Sequence, residues 1–248
     1  MKLHTKKILT ATLALLVSAT FSFGQANMTV DSVFAKYYTA TGGEKLWKGV
    51  DNFSLKRTYS SSSAADYDSQ IYVSMPDKAM SKTKSIMKRD FVYGVKGNEG
   101  WLKIPIGGSD KATRYQVKDL SQAEQDNMHL EMYDLLVPFT NYKERGLVAT
   151  YVGLDQVDSV PAHHVELQGQ GVKYNLYFDA KTGLLKREKQ TQAGIVTTTD
   201  YDNYKKSKYG LMYPSTLTEM SSKDNSKVSI TSEMAVNETI APENFQRN

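Results

Sequence analysis

Apolar positions recur at helical spacing from residue 29 to residue 41: Val30, Val33, Phe34, Tyr37, Tyr38 and Thr41 share one stripe. Gly42-Gly43 follows and supplies a stop, so the pattern predicts an amphipathic helix of about three turns. Beyond it the period changes to two. Phe53, Leu55, Arg57 and Tyr59 alternate with Asn52, Ser54, Lys56 and Thr58. Further segments at Ile71/Val73/Met75, 80–87, Phe91/Tyr93/Val95, 101–106 and 113–117 are separated by Pro76-Asp77, Gly97-Asn98 and Gly107-Gly108-Ser109. Such turn chemistry predicts a meander of about six antiparallel strands.

A second helix interrupts the strands. Ser121 and Glu124 have capping-box spacing, Met128, Met132, Leu135 and Leu136 form an apolar stripe, and Pro138 comes just past its end. Strands then resume at 148–153, 162–168, 172–179, 184–189, 195–204, 212–220 and 228–236. Val172, Tyr174, Leu176 and Phe178 face one way and Lys173, Asn175, Tyr177 and Asp179 the other, which predicts one dry and one wetter face. Asp179 to Gly183 reads as a hairpin loop with glycine where φ must be positive. The expected fold class is mainly β with a few α-helices, in one domain over residues 25–248. Two helices cannot cover a large flat sheet, so it should curl into a half-open antiparallel β-barrel with the helices plugging its concave side.

Composition changes the picture at the N-terminus. Lys6-Lys7 precedes an uncharged run over residues 8–23, and small residues close it at Ser22, Gly24 and Ala26. Residues 1–24 therefore read as a cleavable signal peptide, with the cut after Gly24 or Ala26 and a periplasmic product. The run is shorter than the roughly 20 residues that span a bilayer. Lys2, Lys6 and Lys7 supply three of the formal +4 charges. The remaining +1 gives no electrostatic footprint for nucleic acid. The chain has no cysteine, which excludes disulfides, thiolate chemistry and a cysteine-borne lipid anchor.

Candidate chemistry is sparse. His163 and His164 are adjacent on an expected strand and point to opposite faces, and His129 has no ligating partner one turn on. No metal or cofactor is expected, and no enzymatic activity. Ser81 to Lys84, Ser85 to Lys88, Lys181-Thr-Gly183 and Tyr201-Asp-Asn203 echo the short motifs of penicillin-recognising enzymes, but in the wrong order and on the wrong elements. Acidic pairs such as Asp66/Asp68 and Asp200/Asp202 read as solvated. Arg57 is the odd position, sharing a face with Phe53, Leu55 and Tyr59. It is either a snorkelling edge residue or a buried donor at a cavity mouth. The expected apolar lining is Phe53, Leu55, Arg57, Ile71, Val73, Phe91, Tyr93, Trp101, Met128, Met132, Leu135, Tyr174, Leu176 and Phe178, in a register where one slip would exchange the faces.

Several stretches, in order, resemble the outer-membrane lipoprotein-sorting proteins, in their Bacteroidetes-type form. They are Tyr37-Tyr-Thr-Ala-Thr-Gly-Gly-Glu-Lys-Leu46, Gly97-Asn-Glu-Gly-Trp101, the turn from Gly153 to Pro161, and Tyr177-Phe-Asp-Ala-Lys-Thr-Gly-Leu-Leu185. Asp202 to Pro214 and the tail from Val236 to Phe245 continue the likeness. The resemblance implies a LolA/LolB-like half-barrel whose apolar interior shelters acyl chains in the periplasm. It also implies a non-enzymatic carrier of lipoprotein or lipid acyl chains, monomeric, with inner- or outer-membrane envelope proteins as further partners. The rival reading is an interaction module of an envelope complex with a filled core. One position departs from the family: Met75 stands before Pro76, where the carrier has an arginine that helps hold its lid.

Overall fold

The computed structural model describes residues 28–107 and 114–247; the signal peptide read at residues 1–24 lies outside the described residues. Two helices, α1 (Val30–Ala40) and α2 (Glu44–Lys48), precede a first meander. Its strands are β1 (Asn52–Ser61), β2 (Tyr67–Ser74), β3 (Ala79–Ile86), β4 (Arg89–Lys96), β5 (Glu99–Ile106) and β6 (Arg114–Asp119). Helix α3 (Gln122–Asp134) leads into a second meander. This comprises β7 (Val148–Val157), β8 (Val160–Gly169), β9 (Val172–Asp179), β10 (Leu185–Gln192), β11 (Ile195–Lys206), β12 (Met212–Ser221) and β13 (Lys227–Val236). A short 3-10 turn, Pro242–Phe245, closes the chain.

All thirteen strands join one antiparallel sheet in the order β6-β5-β4-β3-β2-β1-β13-β12-β11-β10-β9-β8-β7. The two meanders meet where β1 pairs with β13, Phe53 opposite Val236 and Arg57 opposite Ser232. Edges β6 and β7 do not pair, so the barrel stays half open.

Helix ends follow local chemistry. Thr29 and Ser32 form a capping box at the start of α1, and Ser121 and Glu124 one at the start of α3. Gly42 and Gly43 take φ of 120° and 100° after α1, a backbone that side chains resist. Gly183, at φ 78°, closes the turn after β9, while Asp179 accepts from the backbone N–H groups of Lys181 and Thr182.

The inner face of the sheet is covered by α1, α2, α3 and the 135–147 segment rather than by a second sheet. Phe139 stacks on Phe34 with centroids 4.3 Å apart and meets Tyr37 and the sheet residue Phe178 edge-on at 5.2 and 5.5 Å. Trp47 donates its indole N–H to Thr41 Oγ1 at 2.8 Å, and Thr41 O accepts from Met212 N. Helix α3 spans the mouth of the half-barrel. Lys82 on β3 holds Glu131 at 2.5 Å, and Tyr174 on β9 holds Asp134 at 2.9 Å.

The structure differs from the pattern in three places. Helix α2 was not expected; five residues carry too little periodicity, and its identity comes from burying Trp47. The expected turn over 153–161 shrinks to Asp158-Ser159, both at positive φ, so β7 and β8 run further. Trp101 falls on the outer face. Its partner across β4 is Gly94, whereas Gly100 turns inward toward Gln125 of α3.

Candidate functional site

The remaining residues expected to line the interior share its inner face. Phe53, Leu55, Ile71, Val73, Met128, Met132, Leu135, Tyr174, Leu176 and Phe178 are buried in one cluster. Tyr93 packs partly buried against it, and Phe91 sits in register with Lys84 at its margin. Met75 is half-buried against the same cluster. The apolar interior is filled: the void between Tyr37, Trp47, Leu55, Leu135, Leu136, Leu211 and Met234 is about 20 Å³.

Toward the end of the half-barrel that carries the β1–β2, β3–β4, β10–β11 and β12–β13 turns, the inner face becomes polar. A cavity of about 320 Å³ is lined by Arg57, Tyr59, Tyr67, Lys82, Lys84, Glu131, Asp134, Glu188, Gln190, Thr199 and Glu219. Arg57 and Leu135 line both this cavity and the small apolar void, so the two regions adjoin. Arg57 is half-buried and lines this cavity, its Nε donating to Ser232 Oγ at 3.4 Å.

The polar walls are sorted by charge. Arg57, Ser69 and Lys84 are cross-strand neighbours on β1, β2 and β3. Glu219, Thr199 and Glu188 are cross-strand neighbours on β12, β11 and β10. Sequence reading missed this site because each charge lies singly among strand residues. The available signal was Lys82 and Lys84 continuing the parity of the buried Met80.

Burial raises the Asp134 carboxyl from its ordinary 3.8 to about 7, opposed by hydrogen bonds from Tyr174 and Gln190 and by Arg145, while Glu131 adds to the rise. Burial, then the Asp134 charge, raises Glu188 from 4.5 to about 8 against the hydrogen bond from Tyr201, with Glu219 adding to it. Glu219 is also raised by burial, with Arg57 the largest opposing influence. Groups that bind protons more tightly when folded withdraw stability as pH rises. For this pair the loss is absent below about pH 4 and complete above about pH 8. His163, held below its usual 6.5 first by burial and then by Lys36, acts with the opposite sign. The melting temperature is therefore expected to fall by roughly 10 °C between pH 5.5 and 8.5. In Glu188→Gln that fall should shrink by half or more; an equal fall in both proteins would contradict the assignment.

Two surface grooves flank the plug. One, of about 450 Å³, lies between α1, α2 and residues 139–144, with Phe34, Tyr38, Trp47, Phe139 and Tyr142 among its lining and Asp31, Glu44, Lys48, Lys143 and Glu144 at its rim. The other, of about 630 Å³, is polar and runs along α3 past His129 and Arg145. His163 bonds Tyr151 and His164 bonds Asn175 on opposite faces. Among the described residues no group of three His, Asp or Glu could hold a metal ion, and no helix is long and apolar enough to cross a membrane.

An open antiparallel half-barrel with helices seated in its concavity defines a LolA-like architecture. Known structures share it. A LolA superfamily protein from Nitrosomonas europaea superposes with a TM-score of 0.56 at 12% identity, over 88% of this chain and 98% of that one. A domain described as an outer membrane lipoprotein-sorting protein, from Vibrio parahaemolyticus, gives 0.57 at 11%, over 87% and 95%. At such identity the likeness is one of fold. No protein-family model and no curated protein matches the chain.

Proposed function

We propose that this chain is a non-enzymatic periplasmic carrier of an amphiphile, taking a lipoprotein or lipid acyl chain into the half-barrel. The observation that carries the reading is the adjacency of the two inner regions: Arg57 and Leu135 border both the apolar interior and the polar cavity. An amphiphile needs that pairing, a dry place for its chain next to a polar place for its head. The acyl chain displaces side chains that α1, α2, α3 and residues 135–147 contribute, because the interior as it stands has almost no free volume. The aromatic groove beside α1 is the point of entry. Burying ten methylenes contributes on the order of 8 kcal/mol, which leaves micromolar affinity before the cost of moving the plug. The fold likeness and the N-terminal Lys6-Lys7 with its apolar run support the same reading.

A fluorescent fatty-acid probe tests it. Saturable binding near one per chain, displaced by unlabelled long-chain acid, is the expected result. No saturable binding below the probe's critical micelle concentration would overturn it. The filled interior favours the second reading, an envelope interaction module. Its surface would be the unpaired edge β7, where Val148, Val152 and Leu154 are exposed.

A further inference from the structure

We propose that the polar cavity is a binding site for a zwitterion, a small head bearing both an ammonium and an anionic phosphate or carboxylate. The inference extends the carrier reading by naming the head of the amphiphile, and rests on it for the lipid source only.

The groups that remain free are sorted across the cavity. Lys82 is taken by Glu131 at 2.5 Å, and Asp134 by Tyr174 and Gln190. Four ionisable groups are left over: the cations Arg57 and Lys84 on one wall, and the carboxyls Glu188 and Glu219, which a facing ammonium would draw toward their charged form, on the other. Among the described residues none of the four joins an ion pair. Arg57 spends one N–H on Ser232 at 3.4 Å. Lys84 stands over the rings of Tyr67 and Tyr93, at 5.4 and 5.8 Å. Between them Ser69 is 2% exposed, and its hydroxyl has no hydrogen-bond partner. A buried hydroxyl left unpaired is costly, and here it lies in register with two free cations. On the facing wall Glu188 accepts one bond, from Tyr201 at 2.9 Å, and Glu219 accepts none.

A plain anion placed here would meet the carboxyls of Glu188 and Glu219, and a plain cation would meet Arg57 and Lys84. A ligand carrying both charges satisfies the two walls at once. Its anionic end takes the Arg57 guanidinium and the Lys84 ammonium, the two cations without an ion-pair partner that line the cavity, with the buried Ser69 hydroxyl behind them. Its ammonium donates to Glu188 and Glu219. The cavity of about 320 Å³ sits at the small end of ligand pockets, roughly 300–1,000 Å³. It fits a head and leaves the chain to the adjoining interior.

Calorimetry separates the possibilities. The full chain is titrated with lysophosphatidylethanolamine, with lysophosphatidylglycerol of the same acyl length, and with soluble phosphoethanolamine. The ethanolamine lysolipid is expected to bind at least tenfold more tightly than the glycerol one. Lys84→Gln and Glu219→Gln should each weaken it tenfold or more, and Glu219→Gln should also remove the preference. Glu219→Gln neutralises a carboxyl that burial already disfavours in its charged form, so this variant should fold; melting curves check both. Should either fail, the preference of the unaltered chain still decides. Equal binding of both lysolipids, unmoved by the substitutions, would overturn the zwitterion site and leave the carrier standing. Phosphoethanolamine binding as tightly as its lysolipid would keep the site and remove the carrier. Binding by none of the three would overturn the site, with the acyl probe then deciding the carrier alone.

Discussion

Phe139→Ala is expected to cost about 3–5 kcal/mol of stability, the range for emptying a large aromatic from a packed core. Phe139 is 1% exposed. It is the ring on which the plug meets itself and the sheet, stacked on Phe34 of α1, edge-on to Tyr37, and touching Phe178 of β9. Each such pair adds about 0.5–1.5 kcal/mol beyond the area it buries. In its own segment Tyr142 also meets Phe34, edge-on at 5.6 Å, but does not bridge to Tyr37 and Phe178 as Phe139 does. The loss should therefore be local as well as global. Hydrogen exchange should speed up in residues 30–48 more than in the β1–β13 seam, because these rings are the main apolar hold of α1 on the sheet, beside the polar contacts of Lys36 on Ala180 O, Met212 N on Thr41 O and Tyr209 on Leu46 O. A change under 1 kcal/mol with unaltered exchange would show that the helices are held some other way.

Gly94→Ala is expected to be nearly as damaging, on the opposite face. A Cβ at position 94 would lie 2.2–2.5 Å from three atoms of the Trp101 indole. The ring is 2% exposed, so it has no free space to retreat into. Overpacking of this kind costs about 1–3 kcal/mol, and a rigid indole over backbone belongs at the upper end. The chain has two tryptophans, and displacing Trp101 toward water should shift their joint emission to the red. Trp101→Leu in the same chain should recover part of the loss, since the shorter side chain clears the new methyl group. An unchanged melting temperature and emission would contradict the packing of Trp101 on Gly94.

Both residues mark where the sequence could and could not be read. Alternation at Phe53/Leu55, Ile71/Val73 and Val172/Tyr174/Leu176/Phe178 showed the strands and their buried face directly, because one face of each is apolar and the other is not. Strand β5 lacks that asymmetry. Trp101 and Pro105 are buried on one parity while Leu102 and Ile104 occupy the other, so its pattern suits either register. What covers the outer side near Trp101 is the chain's own end, with Arg247 on Asp119 at 2.6 Å, a contact between positions far apart in sequence. The charged cavity was hidden for a similar reason. Arg57, Ser69 and Lys84 become one row only through the β1–β2–β3 register, and Glu219, Thr199 and Glu188 only through β12–β11–β10. The two rows face each other only because β1 pairs with β13. Apart from Arg57, whose place on an apolar face stood out, each of those residues taken alone is an ordinary polar strand residue.

The central claim is that the half-barrel carries an amphiphile, and mass spectrometry of an organic extract tests it most directly. The protein is made with its own N-terminal segment, recovered from a bacterial periplasm and purified without detergent. The account expects a lipid or acylated peptide close to one per chain, reduced in Leu135→Ala, where the wall shared by the two inner regions is cut back. An extract free of any such molecule, from protein that also leaves a fluorescent fatty acid unbound, would contradict the carrier and leave the filled half-barrel as an interaction module.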